Sequence, residues 1–519
     1  MDPYSEVQVP TFSEVIAAHA ARRPLAVAMR FAGRKWTYGE LDAHTKLIAA
    51  ALIQRGLGRN DRVAFVGQNS DALALLALGV ARAGLIFVPI NWRLAPREVE
   101  HILVDSSAAL LASGPGYDLG ALDRAALPPT VDAECVATGD GWMANQTELP
   151  LPSTAASDTV LLIYTSGTTG LPKGAMLSHR SLFGTSVLRR AAAVEWDDWS
   201  SDDVTLVSIP LAHIAGFGML ARTLFFGGEV VIQPTFTPAD TLHAITALRI
   251  SKLGLVPTAI KMLIDHPAAR EVDYSRIRTI VYGAAPISLE LLREAIDVFQ
   301  CDFAQSYGMS ETSGTCVALP PKDHHIDGTA RMLAAGCALP GTELRILNPD
   351  GRDLPIGAIG EIAVRCISMM NGYWNKPDAT AAVLDKVGWY RTGDAGLLDA
   401  DGYLFIKDRV KDMIVSGAEN IYSAEVENAL AAHPAVADVA VIGIPDPHWG
   451  EVVKAIVVTR EGQSPDAIEL IAWARQRIAG YKVPRSIDFV AALPLNASGK
   501  VQKAELRRPY WADAERKIG

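Results

Sequence analysis

Eleven consecutive residues, Tyr164-Thr165-Ser166-Gly167-Thr168-Thr169-Gly170-Leu171-Pro172-Lys173-Gly174, bring together the groups that a phosphate chain needs. The three glycines let the backbone turn tightly and approach a ligand closely. The hydroxyls of Thr165, Ser166, Thr168 and Thr169 and the free N–H groups can donate to phosphate oxygens, and Lys173 adds positive charge. The loop is not a Walker A motif, because Gly174 follows the lysine where Ser or Thr is required, and the chain has no G-x-G-x-x-G. A short Ser/Thr/Gly surface loop is the competing reading. Elsewhere the chemistry-bearing groups are sparser. Glu311 stands in Gln305-Ser306-Tyr307-Gly308-Met309-Ser310-Glu311-Thr312, and a lone Glu in a polar loop is usually just solvated. Asp394 ends Trp389-Tyr390-Arg391-Thr392-Gly393-Asp394 and, when ionised, only accepts hydrogen bonds. Asp408-Arg409-Val410-Lys411-Asp412 reads by itself as a charged linker, and Lys500, in Pro494-Leu495-Asn496-Ala497-Ser498-Gly499-Lys500-Val501, as a surface lysine.

Such residues need a scaffold. An apolar run over 160–163 feeds the Gly-rich loop, so the loop follows a strand. Thr37 and Glu40 have capping-box spacing ahead of a helix that ends at Gly56. A strand over 63–66, a helix over roughly 70–82 and a strand over 85–88 follow. Repeats of this kind predict a mainly parallel sheet covered by helices. From about Gly336, short strands (360–365, 403–407) lie between the turns Asn348-Pro349-Asp350-Gly351 and Asp399-Ala400-Asp401-Gly402, predicting a small β-barrel-like subdomain. After Asp408 the pattern becomes helix 424–432, strands 437–444 and 452–459, a helix from Ser464 with Pro465 in its first turn, and strand 486–489. The expected fold is α/β: a large N-terminal domain (1–408), a hinge (409–412) and a smaller mobile α+β C-terminal domain (413–519).

A chain of 519 residues exceeds what one core holds, which also predicts at least two domains. Its formal charge of −10 disfavours nucleic acid as a partner. Five scattered cysteines, without a CxxC pair, read as free thiols in a reducing compartment. The acidic start shows no signal peptide, and the longest apolar stretch, 72–80, is too short to span a bilayer. A soluble, cytoplasmic protein is expected.

The Gly-rich loop and the motifs around Glu311, Asp394, Arg409 and Lys500 occur in an order that resembles the adenylate-forming superfamily, from about Thr37 to Lys503. Within that superfamily the chain is most similar to fatty-acyl, aryl and coumarate-type CoA ligases. The resemblance implies an ATP-dependent carboxylic acid–CoA ligase that makes an acyl-adenylate and then a thioester, releasing pyrophosphate and AMP. ATP, Mg²⁺ and coenzyme A are the implied cofactors and co-substrates; a homodimer is left open. By the same resemblance Thr165, Ser166, Gly167, Thr168, Thr169, Gly170 and Lys173 hold phosphates. Ala284, Ala285, Gln305, Ser306, Tyr307, Gly308 and Ser310 surround the adenine and α-phosphate, with Tyr307 stacked on the base. Glu311, with Thr165, holds Mg²⁺; Asp394, Ile406 and Arg409 meet the ribose or phosphate. Lys500 bridges the carboxylate and the α-phosphate, so Lys500, Glu311, Lys173 and Arg409 act in catalysis. A hard cation such as Mg²⁺ takes carboxylate and phosphate oxygens together, which agrees with this set.

The resemblance further implies that the small domain turns about Lys411, withdrawing Lys500 and bringing in Ser416, Gly417, Ala418 and Glu419 for the thioester step. Ala418 stands where relatives have a second glycine. Trp449, Tyr481 and Arg485 fall where similar ligases hold the CoA nucleotide; plain packing is the alternative for the two aromatic residues. Ile209-Pro210-Leu211-Ala212-His213-Ile214-Ala215-Gly216-Phe217-Gly218-Met219 resembles the segment flanking the acyl group, which makes His213, Phe217, Gly218, Gly283 and Ala284 the expected substrate pocket. A histidine in an apolar run is otherwise a core residue. No Asp lies between His213 and Thr223 to pair with an ammonium, so a hydrophobic acid is expected rather than an amino acid. Asp323-His324-His325-Ile326-Asp327, mostly adjacent residues after two prolines, reads as a solvated loop and not as a metal site. Two other readings stay open: an acyl-AMP ligase that delivers to a carrier protein, and a nucleotide-binding scaffold without chemistry.

Overall fold

In a computed structural model, the described residues are 3–511 except 145, 148, 166–171, 286, 410–411, 417–418 and 496–500. They group into two compact units: Met1–Leu344 with Val364–Tyr390, and Arg345–Ala363 with Arg391–Gly519. This division differs from a single cut at 409–412, because 345–363 and the chain from 391 group with the C-terminal part. The segment expected to be the hinge lies inside the second unit.

The first unit holds two large sheets. One has six strands in the order Thr130–Asp132, Leu110–Ser113, Arg62–Gly67, Ile86–Asn91, Thr159–Thr165, Lys173–Ser178. All its pairings are parallel except the last, which is an antiparallel hairpin. The other has nine strands in the order Cys337–Ala338, Gly314–Leu319, Asp302–Met309, Thr279–Gly283, Lys252–Leu255, Val204–Val207, Glu229–Ile232, Val27–Phe31, Arg34–Thr37. Its centre is parallel and its rims antiparallel. Parallel strands need both faces covered. The Asp71–Arg82 helix is accordingly buried at every position. Ser70 caps it, Asp71 pairs with Arg34 at 2.7 Å, and Arg82 pairs with Asp42. The capping box at Thr37 and Glu40 forms as its spacing predicts.

Phe12, Phe183 and Phe217 meet edge to face in the largest core, with ring centroids 4.7 and 6.3 Å from Phe12. His179 is sealed beside them. Its Nδ1 accepts from the Phe12 N–H at 3.2 Å, while Nε2 has no partner. Burial pushes its pKa down to about 4. Between pH 6.5 and 4 the unfolded chain therefore takes up a proton that the folded chain refuses, so stability falls as pH drops through that window. The full effect is roughly 3 kcal/mol. Thermal unfolding between pH 7 and 5 is expected to show this acid loss, and His179→Asn to flatten it. An unchanged slope in the variant would place the proton uptake elsewhere.

The second unit supplies most of a four-stranded sheet, ordered Thr342–Leu347, Gly360–Cys366, Tyr390–Leu398, Leu404–Arg409. Its other sheet orders Glu419–Ile421, Ile414–Ser416, Gly450–Thr459 and Val436–Asp446, with Ser486–Phe489 pairing parallel to Gly450–Thr459. The helices Ser423–Ala431 and Ala467–Arg475 pack on this sheet around Val441, Val453 and Leu470. The second helix begins later than Ser464: Asp466 caps it by accepting from the Glu469 N–H at 2.7 Å, which leaves Pro465 outside. The helix Lys503–Trp511 was not legible in the sequence.

Candidate active site

The Gly-rich loop joins two antiparallel strands, with Thr165 opposite Lys173 and Tyr164 opposite Gly174. Residues 166–171, which include Ser166, Gly167, Thr168, Thr169 and Gly170, lie outside the described residues. The base of the hairpin is firmly held. Tyr164 donates to Asp105 at 2.9 Å, Asp105 pairs with Lys376 at 3.0 Å, and the Trp374 N–H donates to the Gly174 carbonyl at 2.8 Å.

The strand Asp302–Met309 carries Gln305, Ser306, Tyr307 and Gly308 and passes into a single 3₁₀ turn, Ser310–Thr312. A Cβ on Gly308 would stand 1.9 Å from the Gly314 carbonyl oxygen, and one on Gly283 2.2 Å from that of Ser306. These close backbone approaches shape the carboxyl ends of neighbouring strands, where open α/β sheets bind ligands. Ala284 follows there in the left-handed region, at φ +65°, with Ala285 exposed. A non-glycine residue held so is a local strain of the kind that clusters at binding sites.

The turn buries Glu311, 8% exposed. Its Oε1 accepts from the Tyr373 hydroxyl at 2.7 Å, and the Lys173 ammonium sits 5.4 Å from the centre of the Tyr373 ring. Tyr373 was missed in the sequence, although it lies in Gly372-Tyr373-Trp374 between two recognised motifs. A buried carboxylate with one oxygen held, next to a lysine and the ends of a Gly-rich hairpin, suits a hard cation shared with phosphate.

In the segment expected to flank the acyl group, His213 stands at the N-terminus of the helix Ile214–Phe226. Gly218 faces open space, and Met219 reaches over Gly254 so closely that a Cβ there would meet its sulfur at 2.3 Å. Phe217 is 2% exposed and meets Phe12 edge to face, on the buried side of the helix with Ile214, Leu220 and Ala221. The Asp323–Asp327 segment departs from a fully solvated loop. His324 is half-buried, with Nε2 3.0 Å from the Tyr282 hydroxyl and Nδ1 3.0 Å from the Pro320 carbonyl, and burial lowers its pKa. Among the described residues no group of His, Cys, Asp and Glu could hold a metal by itself.

In the second unit, Asp394 and Arg409 are cross-strand partners, paired at 2.7 Å, with Asp394 buried and Arg409 half out in solvent. Ile406 lies on the same strand as Arg409, opposite Gly396. Ser416 is opposite both Glu419 and Gly450, the residue after Trp449; Gly417 and Ala418 lie outside the described residues. Trp449 and Tyr481 are 45% and 47% exposed, and Arg485 is exposed. Two ties flank the expected pivot. Asp408 accepts from the Ser423 hydroxyl at 2.6 Å, and Asp412 pairs with Arg507 at 2.8 Å. Lys411 and Lys500 lie outside the described residues. Leu495 and Val501, on either side of residues 496–500, bridge each other.

Comparison with known proteins shows the family. The sequence model of the AMP-binding enzyme family matches residues 16–374, and that of the AMP-binding enzyme C-terminal domain matches residues 425–500. The chain belongs to this family, the adenylate-forming enzymes. It is 38% identical over 520 residues to the fatty acid–[acyl-carrier-protein] ligase ScoC of Streptomyces coeruleorubidus, covering all of both chains. It is 40% identical to a feruloyl-CoA synthase of Amycolatopsis sp, covering 95% of this chain and 97% of that one. Among solved structures, the o-succinylbenzoate CoA synthetase of Bacillus subtilis in complex with its acyl-adenylate intermediate is similar at a TM-score of 0.86 and 29% identity, over 99% of this chain and 100% of that one. Among the described residues no helix is long and apolar enough to cross a membrane.

Proposed function

We propose that this enzyme activates a hydrophobic carboxylic acid with ATP and passes the acyl group to coenzyme A. The observation that carries the proposal is the buried Glu311 carboxylate, set by its turn and by Tyr373 beside Lys173 and the Gly-rich hairpin. In the first step a carboxylate oxygen attacks the α-phosphorus, and the bond to pyrophosphate breaks. In the second a thiol attacks the acyl carbon, AMP leaves with the bonding pair, and the thiol proton passes to solvent. Catalysis of the first step is mainly alignment and charge neutralisation. Mg²⁺, held by Glu311 with Thr165, would supply positive charge to the phosphates. Lys173 and residues 165–170 bind the phosphate chain; Ala284, Ala285 and 305–308 enclose the adenine, and Ser310 meets the α-phosphate. Asp394, Ile406 and Arg409 fix the ribose, and Lys500 neutralises the reacting oxygens.

The open face at Gly218, with Met219 and Ala212 nearby and no acidic side chain from 213 to 223, favours an apolar acid. Two large aromatic side chains left in solvent, Trp449 and Tyr481, favour stacking on the adenine of CoA. The free cysteines support a reducing, cytoplasmic setting. A second reading, delivery to a carrier protein, is favoured by the likeness to ScoC along the whole chain. AMP release, measured with fatty acids, benzoates, cinnamates and polycyclic acids, is expected to depend on CoA and to fail with amino acids. AMP release that needs a phosphopantetheinylated carrier instead would select the second reading.

A further inference from the structure

We infer that Tyr373 is the positioning residue for the cation-binding carboxylate of Glu311, and that its hydroxyl fixes which carboxylate oxygen faces the metal. The inference rests on Glu311 being the Mg²⁺ ligand. Both side chains are buried to 8% exposure, and the hydroxyl donates to Oε1 at 2.7 Å. Oε2 has no hydrogen-bond or ion-pair partner among the described residues.

The backbone holds Tyr373 as tightly as its side chain holds Glu311. Tyr373 bridges Ala175 on the second strand of the hairpin, and its N–H donates to the Thr380 hydroxyl at 2.9 Å. The Met176 N–H donates to the Gly372 carbonyl at 2.9 Å, and the Met370 N–H to the Glu311 carbonyl at 2.8 Å. Residues 370–374 thus lace the phosphate hairpin to the Glu311 turn, and one ring serves both. Its hydroxyl aims the carboxylate, and its face lies near the Lys173 ammonium. Groups that orient a metal ligand typically change metal affinity by about 10–100-fold when removed.

The test compares Tyr373→Phe, Glu311→Gln and the unaltered protein by equilibrium titration with a non-cleavable ATP analogue, α,β-methylene-ATP. Each titration is run with Mg²⁺ and again with EDTA. The gain in affinity that Mg²⁺ confers is expected to fall about tenfold in Tyr373→Phe, with binding in EDTA unchanged. Saturating Mg²⁺ is expected to restore its pyrophosphate-exchange rate, and circular dichroism to show the native fold. Glu311→Gln is expected to lose the Mg²⁺ gain altogether. A Mg²⁺ gain intact in Tyr373→Phe but lost in Glu311→Gln would overturn the role of Tyr373 and leave the ligand assignment standing. Equal weakening of Tyr373→Phe with and without Mg²⁺ would reduce the residue to a structural one. A gain untouched in Glu311→Gln would overturn the ligand assignment and this inference together.

Discussion

Lys500→Ala is expected to lower acyl-adenylate formation by about 10²–10³-fold, the usual loss when one preorganised donor to developing charge is removed. Thioester formation from a supplied acyl-adenylate is expected to stay largely intact. The asymmetry follows from where charge develops. Five phosphate-bound oxygens gather around the α-phosphorus as the carboxylate attacks it, and an ammonium there lowers the barrier of that step alone. The thioester step begins after pyrophosphate has gone. The residues on either side of 496–500 are tied to each other by the Leu495–Val501 bridge and by the Gln502 N–H donating to the Pro494 carbonyl at 2.8 Å. Truncating the lysine side chain leaves those ties alone, so the fold should persist. Isotopic pyrophosphate exchange reads the first half-reaction and chromatography of the thioester the second; equal loss in both would remove Lys500 from its assigned role.

Gly308→Ala is expected to be the most damaging small substitution near the site. The added carbon would stand 1.9 Å from the Gly314 oxygen, 2.6 Å from its carbonyl carbon and 3.1 Å from the Thr315 Cα. All three are backbone atoms, so no side chain can swing away. The strands Asp302–Met309 and Gly314–Leu319 would have to part where their register already shifts, between Tyr307 and Gly308. Overpacking of this kind costs about 1–3 kcal/mol and occasionally more. Tyr307 and the Glu311 turn would shift with the strand, so nucleotide affinity should fall along with the thermal midpoint. Gly218→Ala is the matched control. Nothing lies within 4 Å of its added carbon, and an alanine inside a helix is favoured by up to about 1 kcal/mol. Its stability should hold or rise. Similar midpoints for the two variants would show that the 308–314 contact is not tight.

What the sequence made legible were features written in local spacing. The capping box at Thr37, the strand–helix–strand alternation and the Gly-rich hairpin depend on neighbours within a few residues. The features it hid depend on distance along the chain. Tyr373 meets a carboxylate 62 residues away, and nothing in Gly372-Tyr373-Trp374 announces that partner. Phe217 lies in a motif associated with the acyl group, and it meets Phe12, a residue that no local window includes. His324 looked like one of several solvated polar residues until Tyr282, on a strand in the sheet, supplied its hydrogen bond. The Lys503–Trp511 helix carries Pro509 and a polar composition, which mask its period; Arg507 to Asp412 and Tyr510 to Asp488 hold it instead. Segment 345–363 reads as continuous with what precedes it, and only strand pairing reveals its association with the chain after 391.

The two aspartates on either side of residues 410–411 have unequal fates if the chain swivels at Lys411. Asp412, bound to Arg507, would ride with the C-terminal helix and lose nothing. Asp408, bound to the Ser423 N–H and hydroxyl, would have to let go. It would then work as a latch, and the strength of its grip would decide how long the enzyme dwelt in one stance before committing to the other. Loosening it, as in Asp408→Asn, should tilt the ratio of the two half-reaction rates while the chemistry at the α-phosphorus stays the same.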